Sequence, residues 1–433
     1  MPASQLKPKV AVPTEVLAIL QSRVAMETLC EAYMLSVQSW LPMISKKRLF
    51  ERVAAFNETT DIGLSLLLLC MKLVSEAPFD GEHAAASSLY CMVKEFYFRV
   101  ETAGAISLQL LQSAILISVY ELGHALYPAA YLSVSNAERL GTMMGYHDRK
   151  NTPQLFKDAD TWTEREEERR SWWAIVILER YNALGIPGLP LASPEPVQGT
   201  LLPCTESMWD LGQIGSNLPL FASSLSPSVD IGSFASMCQA CHILGLVLRH
   251  RAGQQSATDA KFRVTEAWQL HQILVSLHTH LTDKFTTSMN DSSTMIAIAF
   301  CSSARITLYN IYACNEHDSA VESRLLEETQ MQAASIEGLR EVCQDIIPLA
   351  HHISVAATST VNDILSKSLL LCHCLYHVAS EYAWFIREER AMEKVSSLKI
   401  VVEVLSMIGT RWRVAGEYIK NLEDEGDLDA ISG

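Results

Sequence analysis

The sequence predicts an all-α protein, built as an array of packed helical hairpins with an irregular Pro/Gly/Ser-rich loop in the middle. Apolar residues recur at spacings of three and four along most of the chain, which is typical of amphipathic helices. Eight of the fifteen prolines lie between Pro153 and Pro227, whereas the last two hundred residues contain only Pro348. Alternating apolar and polar runs bounded by turn dipeptides are scarce, which argues against a sheet of any size.

Helices are expected in the first half wherever this spacing is uninterrupted. The first should end near Trp40, because Pro42 disfavours helical geometry in the residue before it. The predicted ranges are 15–39, 62–76, 82–101 and 105–122. The last of these should place one set of side chains on a single face: Leu108, Leu111, Ile115, Val119 and Leu122.

Pro128 marks the start of the next predicted helix, since its missing N–H would be unpaired at the first helical position anyway. Gly145 supplies the left-handed cap at the end of this helix. The side chains expected to point inward are Ala130, Val134, Ala137, Leu140 and Met144.

Thr163 and Glu166 form the predicted capping box of a further helix, which Gly185 and Pro187 end. The segment 185–228 is then expected to be an ordered, irregular loop. Helices follow at 232–251, 258–283, 294–315, 319–347, 351–387 and 390–421, with breaks at Gly253, at Asn290 with Asp291, and at Pro348.

This pattern predicts three parts: a flexible N-terminus at 1–14, a helical domain at 15–421, and an acidic C-terminal tail at 422–433. Acidic residues interleaved with Leu422 and Leu428 are compatible with an activation segment, but a frayed acidic terminus is the favoured interpretation.

The net charge of -15 would repel a nucleic-acid backbone unless basic residues were strongly clustered. The densest basic run is Lys46, Lys47 and Arg48, which is thin even for a nuclear localisation signal and is predicted to be a solvated turn or helix end. The most apolar stretch, Leu64 to Cys70, is far shorter than the roughly 20 residues that span a bilayer. The sequence therefore predicts no direct contact with a membrane.

Cysteine and histidine form four metal-like groups among the eleven cysteines and thirteen histidines of the chain. A structural zinc site needs four converging ligands, and no group has a second half nearby in the sequence. We therefore predict ordinary core side chains in a reducing compartment and no metal site. The groups are Cys238 with Cys241 and His242, Cys372 with Cys374 and His377, His278 with His280, and His351 with His352.

Catalytic patterns are also missing from the sequence. Helical terpene cyclases need paired acidic motifs, but Asn290, Asp291 and Thr294 are followed by Ile298 where the closing acidic residue should stand. Phosphate-binding glycine loops, a serine nucleophile elbow and an HExxH helix do not occur. We predict no catalytic, cofactor-binding or metal-binding residues, and thus no enzyme.

Residues 105–210 carry an ordered set of short motifs. The helical run from Leu108 to Tyr131 leads into Glu138-Arg139-Leu140-Gly141 and Met144-Gly145-Tyr146-His147. Later motifs are Glu167-Glu168-Arg169-Arg170-Ser171-Trp172-Trp173, Leu178-Glu179-Arg180, Gly188-Leu189-Pro190, Leu202-Pro203 and Trp209-Asp210. This succession resembles the fungal-specific transcription factor domain, the middle homology region of fungal zinc-cluster transcription factors.

The resemblance implies a nuclear transcription regulator, with control of a fungal secondary-metabolite gene cluster as its expected role. Family members also carry an N-terminal DNA-binding module in which six cysteines bind two zinc ions, and the first cysteines here, Cys30 and Cys70, do not fit that pattern. The expected partners are therefore a DNA-binding transcription factor or coactivator, with DNA reached indirectly or through a missing zinc-cluster module, and a small-molecule effector. The motif residues are expected to be scaffold. The alternative is a helical enzyme or metabolite-binding accessory protein of a biosynthetic pathway.

Overall fold

The structure is a computed structural model that describes residues 10–76, 83–152, 155–156, 159–221, 231–253, 260–287, 291–313, 326–357 and 367–431. These ranges contain α-helices, short 3-10 helices and loops, and no β-strand among them. An isolated antiparallel bridge joins Leu201 and Pro219. The all-α prediction is confirmed.

The chain divides into two compact units. The first comprises Met1–Glu179, Leu191–Ala235 and Leu365–Lys367, and the second comprises Arg180–Pro190, Ser236–Ile364 and Ser368–Gly433. Helices of the first unit are α1 (Thr14–Leu20), α2 (Arg23–Leu35), α3 (Lys46–Ala54), α4 (Ile62–Ser75), α5 (Ser88–Thr102), α6 (Leu108–Gly123), α7 (Ala129–Met143), the first eighteen residues of α8 (Trp162–Leu184) and α9 (Glu206–Asp210). The second unit holds most of α10 (Ser233–Ala252), then α11 (Ala260–Thr287), α12 (Ser292–Ala313), α13 (Leu326–Ala357), α14 (Cys372–Glu388), α15 (Val395–Gly409) and α16 (Arg413–Asp424).

Helix α6 is the central element of the first unit. We predicted one apolar face, but every residue from Leu110 to Gly123 is buried, because α4, α5 and α7 all pack against this helix. The buried carboxylate of Glu121 accepts hydrogen bonds from Tyr90 Oη at 2.7 Å and from Lys94 Nζ at 2.8 Å. These partners offset the cost of placing a charge inside the unit.

Helix α7 agrees with its prediction. Pro128 immediately precedes the first helical residue, and all five side chains expected to face inward are buried. Gly145 has a φ of 72°, and the Tyr146 N–H donates to the carbonyl of Gly141 at 3.1 Å. This is the hydrogen bond of a Schellman cap, which needs the left-handed conformation that glycine adopts most easily.

The predicted helices 15–39 and 390–421 are each interrupted. The range 15–39 breaks at Gln21, which has a φ of 40°, and Ser22 Oγ then accepts from Ala25 N at 3.2 Å to begin α2. The serine cap explains why a new helix starts here, because its hydroxyl accepts from a backbone donor that otherwise has no partner. The range 390–421 is likewise divided into α15 and α16.

The predicted capping box of α8 was wrong by two residues. Thr161 Oγ1 accepts from Glu164 N at 3.2 Å, while the Glu164 carboxylate accepts from Asp160 N at 3.1 Å. Thr163 lies inside the helix, and Glu166 is fully buried. Glu166 cannot cap this terminus, because its carboxylate binds groups in the interior of the unit.

The predicted break at Pro348 was also wrong, because α13 continues through this residue to Ala357. Proline removes the hydrogen bond to the carbonyl four residues earlier, here that of Gln344. Both Gln344 and Pro348 are exposed, so water can serve that carbonyl, while the buried Ile346, Leu349 and Ile353 hold the helix in place.

Helix α12 forms the core of the second unit, where α11, α13 and α14 pack against it. Its length and composition would allow it to cross a bilayer, but 83% of its apolar window is buried inside the protein. Core helices of globular proteins meet the same criteria, so this helix is weak evidence for a membrane span.

Near the C-terminus, Leu422, Asp427 and Leu428 are buried, and Asp427 accepts from Arg387 at 3.1 Å. The boundaries at 14/15 and 421/422 stay predictions. Parts of several predicted segments lie outside the described residues: 1–9, 82, 222–228, 258–259, Asn290, 314–315, 319–325, 358–366 and 432–433.

Gly338 in α13 is a close-packing position. A Cβ atom there would lie 2.4 Å from Tyr309 Cε2, and the Tyr309 ring is held by hydrogen bonds to Arg305 and His271. We expect Gly338→Ala to lower the free energy of unfolding by roughly 1–3 kcal/mol through overpacking. The matched control is Gly416→Ala in α16, where a Cβ meets nothing within 4 Å.

Gly416→Ala should raise the free energy of unfolding by about 0.5–1 kcal/mol, because alanine is the better helix former. Chemical denaturation of both variants measures the difference. Equal effects of the two substitutions would contradict the packing described here.

Candidate functional site

The acidic and basic residues near the start of α8 are largely buried. Glu166, Glu167, Glu168 and Arg170 expose at most 5% of their surface. They lie between the segments 42–48, 146–151 and 197–217 of the first unit. Charged groups remain in such a place only when other groups neutralise and bond them.

The Glu166 carboxylate is the centre of this arrangement. Its Oε1 accepts from Arg170 Nε at 3.1 Å and from Cys204 N at 2.8 Å. Its Oε2 accepts from Asn217 Nδ2 at 2.9 Å and from Arg169. One side chain therefore joins α8 to two points of the loop that follows it.

The Arg170 guanidinium extends the same network to an earlier part of the chain. It donates to the Pro42 carbonyl at 3.0 Å and to the Cys204 carbonyl at 2.8 Å. The central carbon of the guanidinium, Cζ, lies 4.5 Å from the centre of the Trp209 ring, in a cation–π contact. Arg170 thus provides hydrogen-bond donors for two carbonyl groups in irregular segments, where helix or strand hydrogen bonds do not pair them.

Glu167 and Glu168 point to two further segments. Glu167 accepts from Ser45 N at 2.7 Å and from the Arg48 side chain, and Arg48 also pairs with Glu164 at 3.2 Å. The basic triplet 46–48 begins α3, so the predicted helix end is correct, but Arg48 is only partly exposed and is not a purely solvated residue. Glu168 pairs with Arg149, and burial raises the pKa of Glu168 while Arg149 opposes that shift.

The paired tryptophans hold α8 against its neighbours. Trp173 Nε1 donates to the Leu201 carbonyl at 3.3 Å. Trp172 packs on Gly141 of α7, where a Cβ would lie 3.1 Å from Trp172 Cε3. Both rings are buried, and large apolar side chains of this kind hold packed helices together.

Two more glutamates bind backbone groups of the loop segment. Glu179 accepts from Ala192 N and from Ser193 N at 2.9 Å. Glu206 accepts from Ser233 N at 2.8 Å and from Phe234 N, at the start of α10. A carboxylate at a helix N-terminus is stabilised by the helix dipole.

A cleft opens beside this scaffold, and we call it the α8 cleft. It has a volume of about 300 Å³. It is bounded by residues 146–151, by one side of α8 and by the turn 197–201; the α8 residues are Arg165, Glu168, Arg169, Trp172 and Trp173. In this sense the motif region carries both a rigid scaffold and a surface that a ligand can reach.

Three charged motif residues, Glu168, Arg169 and Arg180, have different surroundings in the structure. Glu168 and Arg169 form ion pairs with Arg149 and Glu166. Arg180 belongs to the second unit, where it is buried and lies against Gly245 of α10. No sequence pattern indicated Cys204, Pro42 or Asn217 as partners, because these contacts join distant parts of the chain.

The metal-like groups are placed in helices of the second unit. Cys238, Cys241, Cys372 and Cys374 are buried, and burial lowers the pKa of His242 to about 4. Nowhere in the described ranges do three metal-ligating side chains come together.

The remaining histidine candidates make other contacts. His278 Nε2 lies 3.0 Å from Asp345, and the ring of His352 packs on that of Phe285. His280 and His351 are exposed. Asp291 caps α12 by accepting from Ser293 N at 3.1 Å and from Thr294. The absence of metal and cofactor sites stays a prediction.

The region around α8 matches the profile of a known protein family. The profile described as the fungal specific transcription factor domain matches residues 72–310, which is more than half of the chain. The match includes α5 to α11 and most of α12, and so contains the whole α8 network except its contacts with residues 42–48.

Several characterised proteins are similar to parts of this chain. It is 38% identical to transcription factor BOA15 of Botryotinia fuckeliana over 138 residues, covering 32% of this chain and 76% of that protein. It is 31% identical to the ascochitine biosynthesis cluster transcriptional regulator of Didymella fabae, covering 28% of this chain and 20% of that protein. It is 27% identical to the notoamide biosynthesis cluster transcriptional coactivator notQ' of Aspergillus versicolor, covering 26% of this chain and 24% of that protein. The chain thus spans most of the first relative and a quarter or less of the other two.

Arg170→Met tests the buried network. The Glu166–Arg170 pair has no exposure on either side chain, whereas the Arg23–Glu27 pair, with the same i,i+4 spacing, is 62% and 31% exposed. Arg170→Met would remove the buried cation beside Glu166 and leave the Pro42 and Cys204 carbonyls without their donor, so we expect it to reduce the free energy of unfolding by roughly 3–5 kcal/mol. Arg23→Met is the matched control and should cost less than about 1 kcal/mol. Chemical denaturation compares the two, and a similar loss in both would rule out a structural role for the network.

Acid sensitivity follows from the half-buried His377 of α14. Burial, aided by Arg251, lowers the pKa of His377 to about 4, whereas the unfolded value is about 6.5. The unfolded state therefore binds the proton more readily between these values, and stability falls as the pH falls through this window. We expect the melting temperature to drop less between pH 7.5 and pH 5 in His377→Gln than in the wild type. The exposed His280→Gln should follow the wild type, and parallel curves for all three proteins would refute this assignment.

Proposed function

The chain belongs to the fungal specific transcription factor domain family, and on that basis we propose that it regulates transcription of a fungal biosynthetic gene cluster from within the nucleus. The family match over residues 72–310 carries this proposal. Relatives described as regulators of ascochitine and notoamide biosynthesis clusters support the link to secondary metabolism.

We further propose that the helical units act as a binding platform and catalyse no reaction. The charged residues at the start of α8 already have backbone and side-chain partners. Glu166 accepts hydrogen bonds from four groups, and Arg170 donates to two carbonyls besides Glu166. Groups held this way are poorly suited to exchange protons with a substrate, since each would have to give up a buried partner.

A DNA-binding transcription factor or a coactivator is the proposed partner. The chain has 49 acidic and 34 basic side chains, and Arg48 of its densest basic run pairs with Glu164 and Glu167. Few cations remain there to neutralise phosphates. A relative named as a transcriptional coactivator is compatible with indirect recruitment to DNA.

Deleting the gene in its own fungus tests this function. We expect transcripts of a biosynthetic cluster to change when the deletion strain is compared with the parent, and the change to disappear when the wild-type gene is restored. RNA sequencing with metabolite profiling measures both levels. Lost or altered metabolites with unchanged cluster transcripts would contradict the proposal and favour a pathway enzyme or accessory protein.

A tagged chain purified from nuclei under producing conditions tests the partner. We expect mass spectrometry to recover a sequence-specific transcription factor or a coactivator. The tagged Arg170→Met variant serves as the comparison, because its weakened scaffold should recover less of the same partner. Purification of neither class of protein by the wild-type chain would contradict the platform model.

A further inference from the structure

We propose that the α8 cleft binds a small organic anion, with a carboxylate held by Arg165 and Lys150 and a flat apolar body against the wall formed by Trp172 and Leu201. This inference deepens the proposed function, because such a ligand would be the small-molecule effector of the regulator. Every residue that lines the cleft belongs to the first unit.

The lining of the cleft is predominantly basic. Four basic side chains line the cleft against two acidic ones, in a chain whose net charge is -15. Arg149 and Arg169 are already paired with Glu168 and Glu166. Arg165 and Lys150 are exposed and have no ion-pair partner in the part of the chain that the structure describes. A guanidinium in this position matches the two oxygens of a carboxylate.

Two residues that line the cleft, His147 and Thr200, each carry a buried polar atom. His147 Nδ1 and Thr200 Oγ1 have no hydrogen-bond partner among the described residues. The His147 ring is nevertheless fixed, since its Nε2 lies 3.1 Å from Thr152 Oγ1 and its centre lies 5.8 Å from that of Trp172. Buried polar groups without partners are rare in folded proteins, and a rotation of the Thr200 side chain would let its hydroxyl donate to a ligand carboxylate in the cleft.

The walls and the size of the cleft define the rest of the ligand. Trp172, Val197 and Leu201 supply apolar surface beside the charged groups. The volume of about 300 Å³ lies at the lower end of the range for small-molecule sites. A single aromatic or bicyclic acid fits this description better than an extended chain or a highly charged phosphate ester.

The rigid scaffold explains why the cleft can be preformed. The Trp173 indole N–H donates to the Leu201 carbonyl, and Leu202 N donates to the Leu218 carbonyl at 2.7 Å. Gly199 adopts a φ of 97° at the tip of the turn, where a Cβ would lie 3.9 Å from Lys150 Nζ. A preformed site avoids the free-energy cost of ordering a loop on binding.

The experiment uses the purified full-length chain with 2-naphthoate as the anionic probe and 2-naphthamide as its neutral isostere, measured by ligand-observed NMR and calorimetry. We expect 2-naphthoate to bind at least about tenfold more tightly than 2-naphthamide, because hydrogen bonds to charged groups are the stronger class. Equal affinity of the two probes, or no binding of 2-naphthoate, would overturn the proposal.

Three variants assign the binding to this cleft. Arg165→Met should weaken 2-naphthoate about tenfold or more, whereas Arg139→Met, at an exposed arginine of α7 outside the cleft, should leave the affinity unchanged. Thr200→Val should weaken 2-naphthoate while keeping or raising the melting temperature, since it removes an unpartnered buried hydroxyl. Identical affinities for the wild type and the Arg165 and Thr200 variants would exclude this site.

The binding test and the transcription test can fail independently of each other. Binding of 2-naphthoate is measured on purified protein, so its loss would remove the cleft as a ligand site while the effect of gene deletion on transcripts still stands. Unchanged transcripts in the deletion strain, with selective binding of 2-naphthoate intact, would instead remove the regulatory function and leave the site.

Discussion

The buried pair of Glu166 and Arg170 is the constraint on which the first unit depends. Moving a carboxylate and a guanidinium out of water costs several kcal/mol for each ion, even after the protein relaxes. The two side chains neutralise each other and also receive or donate bonds to Pro42, Cys204 and Asn217. Those segments can therefore occupy only positions in which they complete the network.

Helical geometry extends this pair into a larger network of contacts. Successive residues of an α-helix are rotated by about 100°, so three adjacent glutamates face three directions. Glu166 binds the segment around Cys204, Glu167 binds the start of α3, and Glu168 binds the loop at Arg149. A single turn of α8 thus orders three irregular segments without a sheet. The α8 cleft is a consequence, because two of these segments form its walls.

Local patterns in the sequence predicted much of the helical framework. The start at Pro128, the cap at Gly145 and the end of α8 before Gly185 depend on neighbouring residues, and the structure agrees at all three. Pro348 was misjudged because the tolerance of a proline depends on whether the carbonyl it deprives can reach water, which is a property of the tertiary structure. Glu166 was misjudged for the same reason, since nothing near it in the sequence reveals that its partner is the backbone of Cys204.

The candidate site was predicted less completely than the fold. Its region was evident from the sequence, because an ordered set of motifs resembles one family. The basic lining of the cleft was not evident: Lys150 and Arg165 are separated by fifteen positions and become neighbours of one cleft only through the α7–α8 connection. Assembly of this kind depends on long-range contacts that periodicity does not report.

Hydrogen–deuterium exchange of Arg170→Met against the wild type tests the central claim most directly. If the network orders the irregular segments, amide exchange should rise together in peptides covering 42–48 and 200–217, while peptides from α12 and α13 in the second unit keep their wild-type rates. Exchange that rises only within α8, or that does not change in either segment, would show that the buried pair does not hold them.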